Sequence, residues 1–434
     1  MSITASILAI GDELVRGERL DTNSAWLSAR LDDAAVDVIQ HRTVPDDQAA
    51  IEDALRELAP RSRFLLATGG LGHTRDDLTR HALAALVTPG EPMVSDQDAT
   101  EHLRTWFAGR TQTVSDTTDI QTLRPRTATM LRNVHGTAFG LADHLGDCRV
   151  WLLPGPPREM QPMFETYVRP ELQRATADRT IVHRTGYLQA YGIGESSAAE
   201  AIEHLMSRGR NPLVGITAGQ AIVFAHVRAH GEREAADALV EATLAEIEAA
   251  WQPYVFTRGE VPLAEALGQL LAEREHRLVT AESCTGGWIG KALVDIPGSS
   301  RYYDGGWVTY SNNMKTRELG VDPGLIAEHG AVSAEVAAAM ARGALQKAPD
   351  ATRSVAVTGV AGPDGTPEKP AGLVYISVGT RDDANHLEVT VRRFRFTGDR
   401  TDIRDRTTKT ALQMVRLDLL GRLADTPLLW ESSA

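Results

Sequence analysis

Short apolar runs that lead directly into glycine-rich loops constrain this 434-residue chain more than any other feature of its sequence. The runs and the loops after them are 63–67 with 68–79, 277–280 with 281–287, and 354–358 with 359–365. Buried strands of this kind are typical of α/β proteins, whose ligands bind at the carboxyl ends of parallel strands. The sequence therefore predicts a multidomain α/β fold with sites at these loops.

The amino-terminal half shows strand patterns that alternate with helix patterns. Strands are predicted over 3–9, 36–42 and 63–67, and helices over 22–31, 46–58 and from the end of loop 68–79 to Leu86. Alternation of this kind predicts a mostly parallel sheet.

Composition limits the classes of protein that remain. A hydrophobic content of 42% over 434 residues suits two or three domains with ordinary cores. The net charge of −13 disfavours a general nucleic-acid binder, because a phosphate backbone demands clustered cations. We expect no membrane span and no signal peptide. The two cysteines, Cys148 and Cys284, suit a reducing cytoplasm.

The turn 281–287 carries the residues most typical of catalysis. Ser283 follows a strand-like run, and Gly286 and Gly287 lead into a helical pattern over 288–294. A hydroxyl at the mouth of a helix, beside free backbone N–H groups, combines a nucleophile with donors for an oxyanion. This arrangement predicts acyl-transfer chemistry on a small substrate.

A serine nucleophile needs a group that accepts its proton, and the distribution of lysine suggests one. The chain has only five lysines, Lys291, Lys315, Lys347, Lys369 and Lys409. Lysine, unlike arginine, can give up its proton near neutral pH when it is desolvated. Lys315 is the best placed, because it lies where an apolar strand runs into the first turn of a helix.

Other interpretations of these residues stay open. Ser283 also fits a simple helix N-cap, and Lys315 also fits a solvated helix surface. Cys284 competes as the nucleophile because sulfur is intrinsically the better one. A buried neutral thiol is inert, however, and nothing in the sequence pairs this cysteine with a histidine.

Five segments together resemble the carboxyl-terminal domain of the CinA family, the nicotinamide mononucleotide deamidases. They are 281–287, 297–300, 310–315, 358–365 and 369–372, and the resemblance covers residues 260–425. It implies an α/β amidase domain in which Ser283 and Lys315 form a Ser–Lys dyad. The implied reaction hydrolyses the carboxamide of nicotinamide mononucleotide to nicotinic acid mononucleotide and ammonia, without a cofactor.

The same resemblance implies a set of pocket residues. Thr285, Gly286, Gly287 and Tyr310 match positions beside the dyad. For the phosphate we expect contacts from Ser299, from the loop amides around Gly359, Ala361 and Gly362, or from Arg400. Arg400 equally fits a surface charge at a helix end.

The loop 68–79 is the second informative feature. Its glycines let the backbone approach a phosphate closely, and the start of the next helix supplies N–H donors. Asp76 and Asp77 are adjacent carboxylates that suit a hard divalent cation or an oriented water. Both are also common N-cap residues, and glycine-rich loops are often simple turns.

Residues 1–170 resemble the amino-terminal CinA domain, which is similar to the molybdopterin-binding fold and is associated with metal-dependent ADP-ribose pyrophosphatase activity. The matching segments are 11–14, 21–23, 68–72, 76–79 and 153–160. The resemblance implies that Asp77 is the functional carboxylate. It implies nucleotide contacts from Gly69, Gly70, Gly72, Thr74 and Asn23, and a divalent metal ion held by Asp12, Glu13 and Asp76.

The chain departs from the pattern of this domain at two single positions and over the stretch 119–132, which matches the family poorly. His73 and Phe139 stand where the family usually has proline, and we expect both at the rim of the nucleotide site. These changes count against the pyrophosphatase activity but not against the fold.

Residues 178–255 resemble the KH-like connecting domain of CinA proteins, a small α+β unit. Strands are predicted over 180–189 and 221–229, and helices over 196–206 and 234–251. The segment 191–195 is not a basic GxxG clamp, so we predict a spacer or dimer-forming domain rather than an RNA binder. The stretch 257–260 is predicted to be a linker.

Three functional hypotheses follow. The favoured one is a cytoplasmic enzyme that acts on small-molecule nucleotides and deamidates nicotinamide mononucleotide, with metal-dependent ADP-ribose hydrolysis as a second activity of its amino-terminal domain. The resemblance implies that this enzyme is a homodimer. The second is a pterin- or nucleotide-binding protein of the molybdenum cofactor type. The third is a non-catalytic partner protein associated with competence or DNA damage. Neither nucleic acid nor a membrane is expected as a partner.

Overall fold

A computed structural model describes residues 3–108, 120–177 and 181–432 of the chain. Its internal contacts divide the chain into two compact units, Met1–Arg184 with His230–Ala236, and Thr185–Ala229 with Asp237–Ala434. Within the described ranges, no helix combines the length and the apolar character that a membrane crossing needs.

The first unit is built around a six-stranded sheet. Its elements are β1 (Thr4–Ile10), α1 (Asp12–Val15), α2 (Thr22–Asp33), β2 (Asp37–Val44), α3 (Gln48–Leu58), β3 (Phe64–Thr68), α4 (Thr79–Val87), β4 (Val94–Ser95), α5 (Gln97–Phe107), β5 (Leu123–Arg124), β6 (Thr129–Leu131), β7 (Gly140–Leu145), β8 (Cys148–Leu153), α6 (Pro157–Met163) and α7 (Arg169–Thr176). The strand order is β2–β1–β3–β8–β7–β6. Strand β1 is parallel to β2 and β3, and β3 to β8, whereas β7 is antiparallel to β6 and β8. The predicted mostly parallel sheet is confirmed.

Both faces of this sheet are covered, because successive side chains of a strand point to opposite faces. On β1, Ala5 and Ile7 join one apolar cluster while Leu8 and Ile10 join the other. Strand β3 is buried along its whole length, as its continuous apolar sequence predicts. Its carboxyl end delivers the loop 68–79 to the edge of the sheet where ligands of such folds bind.

One expectation for this unit is wrong. Phe139 was expected at the rim of a nucleotide site, but its side chain is only 2% exposed and packs in a small core with Ala99 and Leu103. The ring of His102 meets that of Phe139 edge to face, with 5.2 Å between centroids. Phe139 is a packing residue because helix α5 supplies an apolar face for it. His73 is exposed on its loop.

The remaining elements belong to the middle and carboxyl-terminal parts of the chain. They are β9 (Ile181–Tyr191), α8 (Glu195–Ala201), β10 (Leu213–Gly219), β11 (Ile222–Glu232), α9 (Arg233–Trp251), β12 (Val255–Arg258), α10 (Leu263–Glu273), β13 (Leu278–Glu282), α11 (Trp288–Val294), β14 (Tyr303–Val308), α12 (Asn312–Leu319), α13 (Pro323–His329), α14 (Ala334–Lys347), β15 (Arg353–Gly359), β16 (Leu373–Arg381), β17 (Leu387–Arg395) and α15 (Arg400–Leu419).

Short helical turns of other types lie between these helices and strands. They are 3-10 turns at Ala59–Arg61, Ile120–Thr122, Glu203–Leu205 and Ser299–Arg301, and a π turn at Phe164–Val168.

The middle sheet has the order β10–β11–β9–β12. Its first predicted strand is described from Ile181, since residues 178–180 lie outside the described ranges. The predicted helix 196–206 is shorter than expected and ends at Ala201. The predicted linker 257–260 is also wrong in part, because Thr257 and Arg258 belong to β12 and pair with β9. A strand was missed there because it is only four residues long.

The carboxyl-terminal sheet has the order β14–β13–β15–β16–β17. Strand β13 is parallel to both of its neighbours, while β15 and β16, and β16 and β17, are antiparallel. The carboxyl ends of β13, β14 and β15 therefore meet at one edge. The predicted helix 288–294 and strand 354–358 are confirmed within a residue.

Candidate active site

Ser283 lies immediately after β13, at the edge where three parallel strands end. Its backbone N–H donates to the carbonyl oxygen of Val357 on β15, at 3.1 Å. The next residues turn sharply through Gly286 and Gly287, which have φ values of 60° and 94°. Only glycine adopts this left-handed backbone without cost, so the sequence forces the turn that leads into α11.

Lys315 reaches Ser283 from a different element. It stands in the first turn of α12, and its Nζ lies 3.1 Å from Oγ of Ser283. The amine also donates to the carbonyl oxygens of Thr309, at 2.8 Å, and Tyr310, at 3.5 Å. The side chain is only 1% exposed. The structure therefore brings together the two residues of the predicted dyad, which are 32 positions apart.

The surroundings of Lys315 favour an uncharged amine. Burial lowers the pKa of its ammonium group, and the described residues give it no carboxylate partner. An amine so placed can accept the proton of the Ser283 hydroxyl.

Cys284 is the competing nucleophile, and its environment keeps its sulfur protonated. The residue is 5% exposed. Burial raises the pKa of the thiol to about 12, with the Glu282 carboxylate acting in the same direction. Since the thiolate is the reactive form, this favours Ser283 as the attacking group.

A small cavity of about 170 Å³ opens beside the dyad. Its lining residues are Ser283, Cys284, Tyr310, Asn312, Lys315, Ala331, Val332, Thr358, Gly359, Ala361 and Arg400. Of the pocket residues expected from the sequence, Tyr310, Gly359, Ala361 and Arg400 are thus brought to the dyad. Sequence reasoning missed Asn312 and Thr358, although both lie inside segments that it singled out.

Arg400 spans the mouth of this cavity. Its Nη1 donates to the carbonyl oxygen of Gly362 at 2.7 Å, and its Nη2 donates to the hydroxyl of Tyr310 at 3.3 Å. Tyr310 is 63% exposed, so this bridge faces solvent. The structure therefore favours the pocket interpretation of Arg400 over that of a free surface charge.

Other expected pocket residues do not line the cavity in the described part of the chain. They are Thr285, Gly286, Gly287, Ser299 and Gly362. Thr285 is fully buried. The N–H groups of Gly286 and Gly287, expected to face an oxyanion, already donate to the carbonyl oxygen of Ser283 and to the carboxylate of Glu282. Ser299 starts the turn Ser299–Arg301 and is half-buried there.

Two residues that hold the Ser283 turn were missed by sequence reasoning. The buried carboxylate of Glu282 accepts three backbone N–H groups at the start of α11. Arg404 donates to the carbonyl oxygen of Thr285 at 2.7 Å. The sequence did contain a signal for Glu282, which is an acidic residue at the end of an otherwise apolar strand. Such a residue is buried, and a buried carboxylate needs hydrogen-bond partners.

In the first unit, Asp77 serves its own loop. One of its carboxylate oxygens accepts both the backbone N–H of Thr74, at 2.7 Å, and the hydroxyl of Thr74, at 2.6 Å. A Cβ atom on Gly72 would come within 2.6 Å of the same carboxylate. These contacts are those of a turn-forming residue, which agrees with the interpretation of loop 68–79 as a simple turn.

The neighbouring glycines have packing reasons of their own. A Cβ atom on Gly69 would meet the carbonyl oxygen of Ile10 at 2.1 Å, and one on Gly70 would meet Oγ1 of Thr79 at 2.2 Å. The side-chain amide of Asn23 donates to the carbonyl oxygen of Gly155 at 2.7 Å. This bond connects two segments that the resemblance assigned to one site.

The expected metal ligands form no cation site among the described residues, although Asp12 and Glu13 lie near another carboxylate, that of Asp46. Asp12 and Asp46 exchange backbone-to-carboxylate hydrogen bonds of 3.0 and 3.3 Å, and Asp12 also pairs with Arg16. Burial raises the pKa of Asp46, and the charges of Glu13, Asp12 and Asp77 raise it further. Among the described residues, no three His, Cys, Asp or Glu side chains are placed to hold a metal ion. Asp12, Glu13 and Asp76 therefore do not fit the expected metal site.

Comparison with known proteins agrees with this architecture. Models of three families match in succession: a probable molybdopterin binding domain over residues 6–174, the damage-inducible protein CinA KH domain over 185–257, and the CinA C-terminal domain over 260–419. The expected fold class, a three-part α/β protein, is confirmed.

Relatives match over nearly the whole chain. A CinA-like protein of Geobacter sulfurreducens is 41% identical over 424 residues, which are 95% of this chain and 98% of the relative. A CinA-like protein of Dictyoglomus thermophilum is 37% identical over 418 residues, 96% and 99% of the two chains. The crystal structure of the competence/damage inducible protein CihA from Agrobacterium tumefaciens is 40% identical and covers 37% of this chain and 99% of that one, with a TM-score of 0.34.

The fold and the domain matches define a multidomain protein with a molybdopterin-binding-like, a KH-like and a CinA-type part. The chain belongs to the CinA family.

Proposed function

We propose that the carboxyl-terminal domain hydrolyses the carboxamide of nicotinamide mononucleotide, giving nicotinic acid mononucleotide and ammonia. The observation that carries this proposal is the buried amine of Lys315, 3.1 Å from the hydroxyl of Ser283 at the floor of a cavity. A buried lysine without a carboxylate partner is costly for a fold, and it is therefore a candidate functional group.

The first half of the reaction forms an acyl-enzyme. Lys315 accepts the proton of Ser283 as Oγ attacks the amide carbon. The tetrahedral intermediate collapses, the C–N bond breaks, and the ammonium group of Lys315 returns its proton to the leaving nitrogen, so that ammonia departs. The positive charge of the pyridinium ring withdraws electrons from the carbonyl and makes it easier to attack.

The second half regenerates the enzyme. Lys315 accepts a proton from water as the water oxygen attacks the acyl carbon. The bond from that carbon to Oγ breaks, Ser283 recovers its proton from Lys315, and the carboxylate product is released. No step requires a cofactor.

The rim of the cavity supports a substrate with an anionic group outside the reacting centre. Arg400 is held over the mouth by neutral oxygens, those of Gly362 and Tyr310. A phosphate would replace neutral acceptors with a charged one, which strengthens hydrogen bonds to a guanidinium. The ribose and phosphate would then lie outward from the ring.

Ammonia release from the purified full chain tests the proposal. Wild type should convert nicotinamide mononucleotide, while Ser283→Ala and Lys315→Met should each lose at least roughly a thousandfold in kcat, since members of such a unit act together. Lys291→Met is the matched control, because Lys291 is an exposed lysine in a surface ion pair. A wild-type protein that releases no ammonia would overturn the proposal in favour of a binding or partner role.

The amino-terminal domain is not assigned the ADP-ribose pyrophosphatase activity. Asp77 is committed to its own turn, and the described carboxylates do not form a metal site. A homodimeric state and a cytoplasmic location stay predictions.

A further inference from the structure

Three hydrogen bonds to the carboxylate of Glu282 fix the turn after Ser283. Oε2 of Glu282 accepts the backbone N–H groups of Gly287 and Ile289, at 2.9 and 3.2 Å, and Oε1 accepts that of Gly290, at 2.8 Å. Glu282 is 1% exposed. Its carboxylate thus occupies the position where the start of a helix would otherwise bind an anion. A substrate phosphate is therefore not held there.

Arg404 fixes the same turn from another side. Its Nη2 donates to the carbonyl oxygen of Thr285 at 2.7 Å, and its guanidinium lies 3.8 Å above the ring of Trp288. A Cβ atom on Gly286 would come within 3.3 Å of this guanidinium. The peptide unit between Thr285 and Gly286 is thereby held by Arg404 on α15, and the one between Gly286 and Gly287 by Glu282 on β13.

This bonding leaves two N–H groups of the turn without an oxygen acceptor in the described chain. The amide of Ser283 donates to Val357, that of Gly286 to Ser283, and that of Gly287 to Glu282. The amides of Cys284 and Thr285 donate to no such oxygen, and their only acceptor in the described chain is the sulfur of Cys284. A thiol sulfur is a weak acceptor, so a substrate oxygen can replace it. Cys284 also lines the cavity. N–H groups next to a nucleophile, held before the substrate arrives, are what stabilises a developing oxyanion.

We propose that the backbone N–H groups of Cys284 and Thr285 form the oxyanion site, and that Glu282 and Arg404 are the positioning residues that fix the turn carrying both groups. This inference rests on the proposed amidase reaction. It shifts the expected donors, the N–H groups near Thr285 to Gly287, toward the nucleophile, because the N–H groups of Gly286 and Gly287 already have acceptors. A merely structural role for Glu282 would instead stabilise α11 without affecting the chemical step.

The test uses the full-length protein with Glu282→Gln and Arg404→Met. A glutamine side chain keeps one acceptor oxygen, but its NH2 group is a donor and would face a backbone N–H group, which is also a donor. Glu282→Gln can therefore keep only some of the three hydrogen bonds. Methionine can still cover Trp288 but cannot donate to Thr285. We expect kcat for ammonia release to fall about 100-fold in Glu282→Gln and about 10-fold in Arg404→Met, with KM changed less than about threefold, because a small displacement of a donor affects mainly the transition state. Leu271→Ala, a buried change in α10 away from the cavity, controls for lost stability.

A second readout separates this inference from the proposed function. The rate at which a fluorophosphonate labels Ser283 also depends on oxyanion donors, but not on the natural substrate. If wild type labels without hydrolysing nicotinamide mononucleotide, the proposed function is wrong and the labelling rates of the variants still test the positioning role. If both variants melt at lower temperature but keep wild-type kcat and labelling rate below that temperature, the positioning role is wrong. A wild-type protein that neither labels nor hydrolyses refutes both.

Discussion

Nζ of Lys315 lies 3.1 Å from Oγ of Ser283 and 2.8 Å from the carbonyl oxygen of Thr309. The hydrogen bond to Thr309 fixes the position of the Lys315 amine, and its burial favours the uncharged form. Because burial lowers the pKa of Lys315, the group is a base at a pH where an ordinary lysine is an acid.

The first prediction concerns the pH dependence of catalysis. The neutral amine is the active form, so kcat/KM for nicotinamide mononucleotide should rise as pH increases and level off above the pKa of Lys315. The midpoint should lie below about 10.4, the value of an ordinary lysine. Ammonia release measured between pH 5 and about 10 gives the curve. A rate that is flat across this range would contradict the role of Lys315 as base.

The second prediction concerns stability. The folded state disfavours the charged amine, so below its folded pKa Lys315 lowers the free energy of unfolding, and this penalty shrinks as pH rises toward the unfolded value. Lys315→Met should therefore be more stable than wild type at pH 7, with the difference shrinking by at most about 1.4 kcal/mol for each pH unit. Urea denaturation at several pH values measures it. A variant that is less stable than wild type at every pH would show that the amine makes net favourable bonds.

The third prediction separates the two adjacent nucleophiles. Ser283→Ala should abolish hydrolysis, whereas Cys284→Ala should keep at least roughly a tenth of the rate, since the thiol is held neutral. A thiol reagent should modify the native protein slowly, because both Cys284 and Cys148 are buried. The reverse order of the two variants would make Cys284 the nucleophile.

The fourth prediction concerns the attachment of β9 to α15. The hydroxyl of Tyr191 bonds with Oγ1 of Thr410, at 2.9 Å, and with the carbonyl oxygen of Arg406, at 3.0 Å. Tyr191→Phe should lower the free energy of unfolding by about 1–2 kcal/mol, because these buried bonds are lost and Thr410 keeps no equivalent partner.

Tyr302→Phe is the matched control for that change. The hydroxyl of Tyr302 is buried without a hydrogen-bond partner among the described residues, so its removal should be neutral or stabilising. Thermal unfolding of both variants measures the contrast. An equal loss of stability in the two would mean that the Tyr191 bonds contribute nothing specific.

Local patterns and motifs predicted the elements on either side of the glycine-rich loops. The alternation of strands and helices predicted the parallel pairing of β1, β2 and β3, and the glycines of 281–287 predicted the turn before α11. Phe139 and the strand Val255–Arg258 were misjudged, since their roles depend on partners far along the chain. A short strand has no periodicity of its own to reveal it.

The sequence by itself determined the family and the order of the domains, and it predicted the two residues of the proposed dyad, because each depends on residue types at fixed spacing. Only the tertiary structure decided which N–H groups of the turn have no oxygen acceptor among the described residues, and that Glu282 and Arg404 hold this turn. The physical reason is that the role of a carboxylate or a backbone N–H group depends on the group to which it is hydrogen-bonded. Those partners are set by how β13, α11 and α15 pack, which no local pattern encodes.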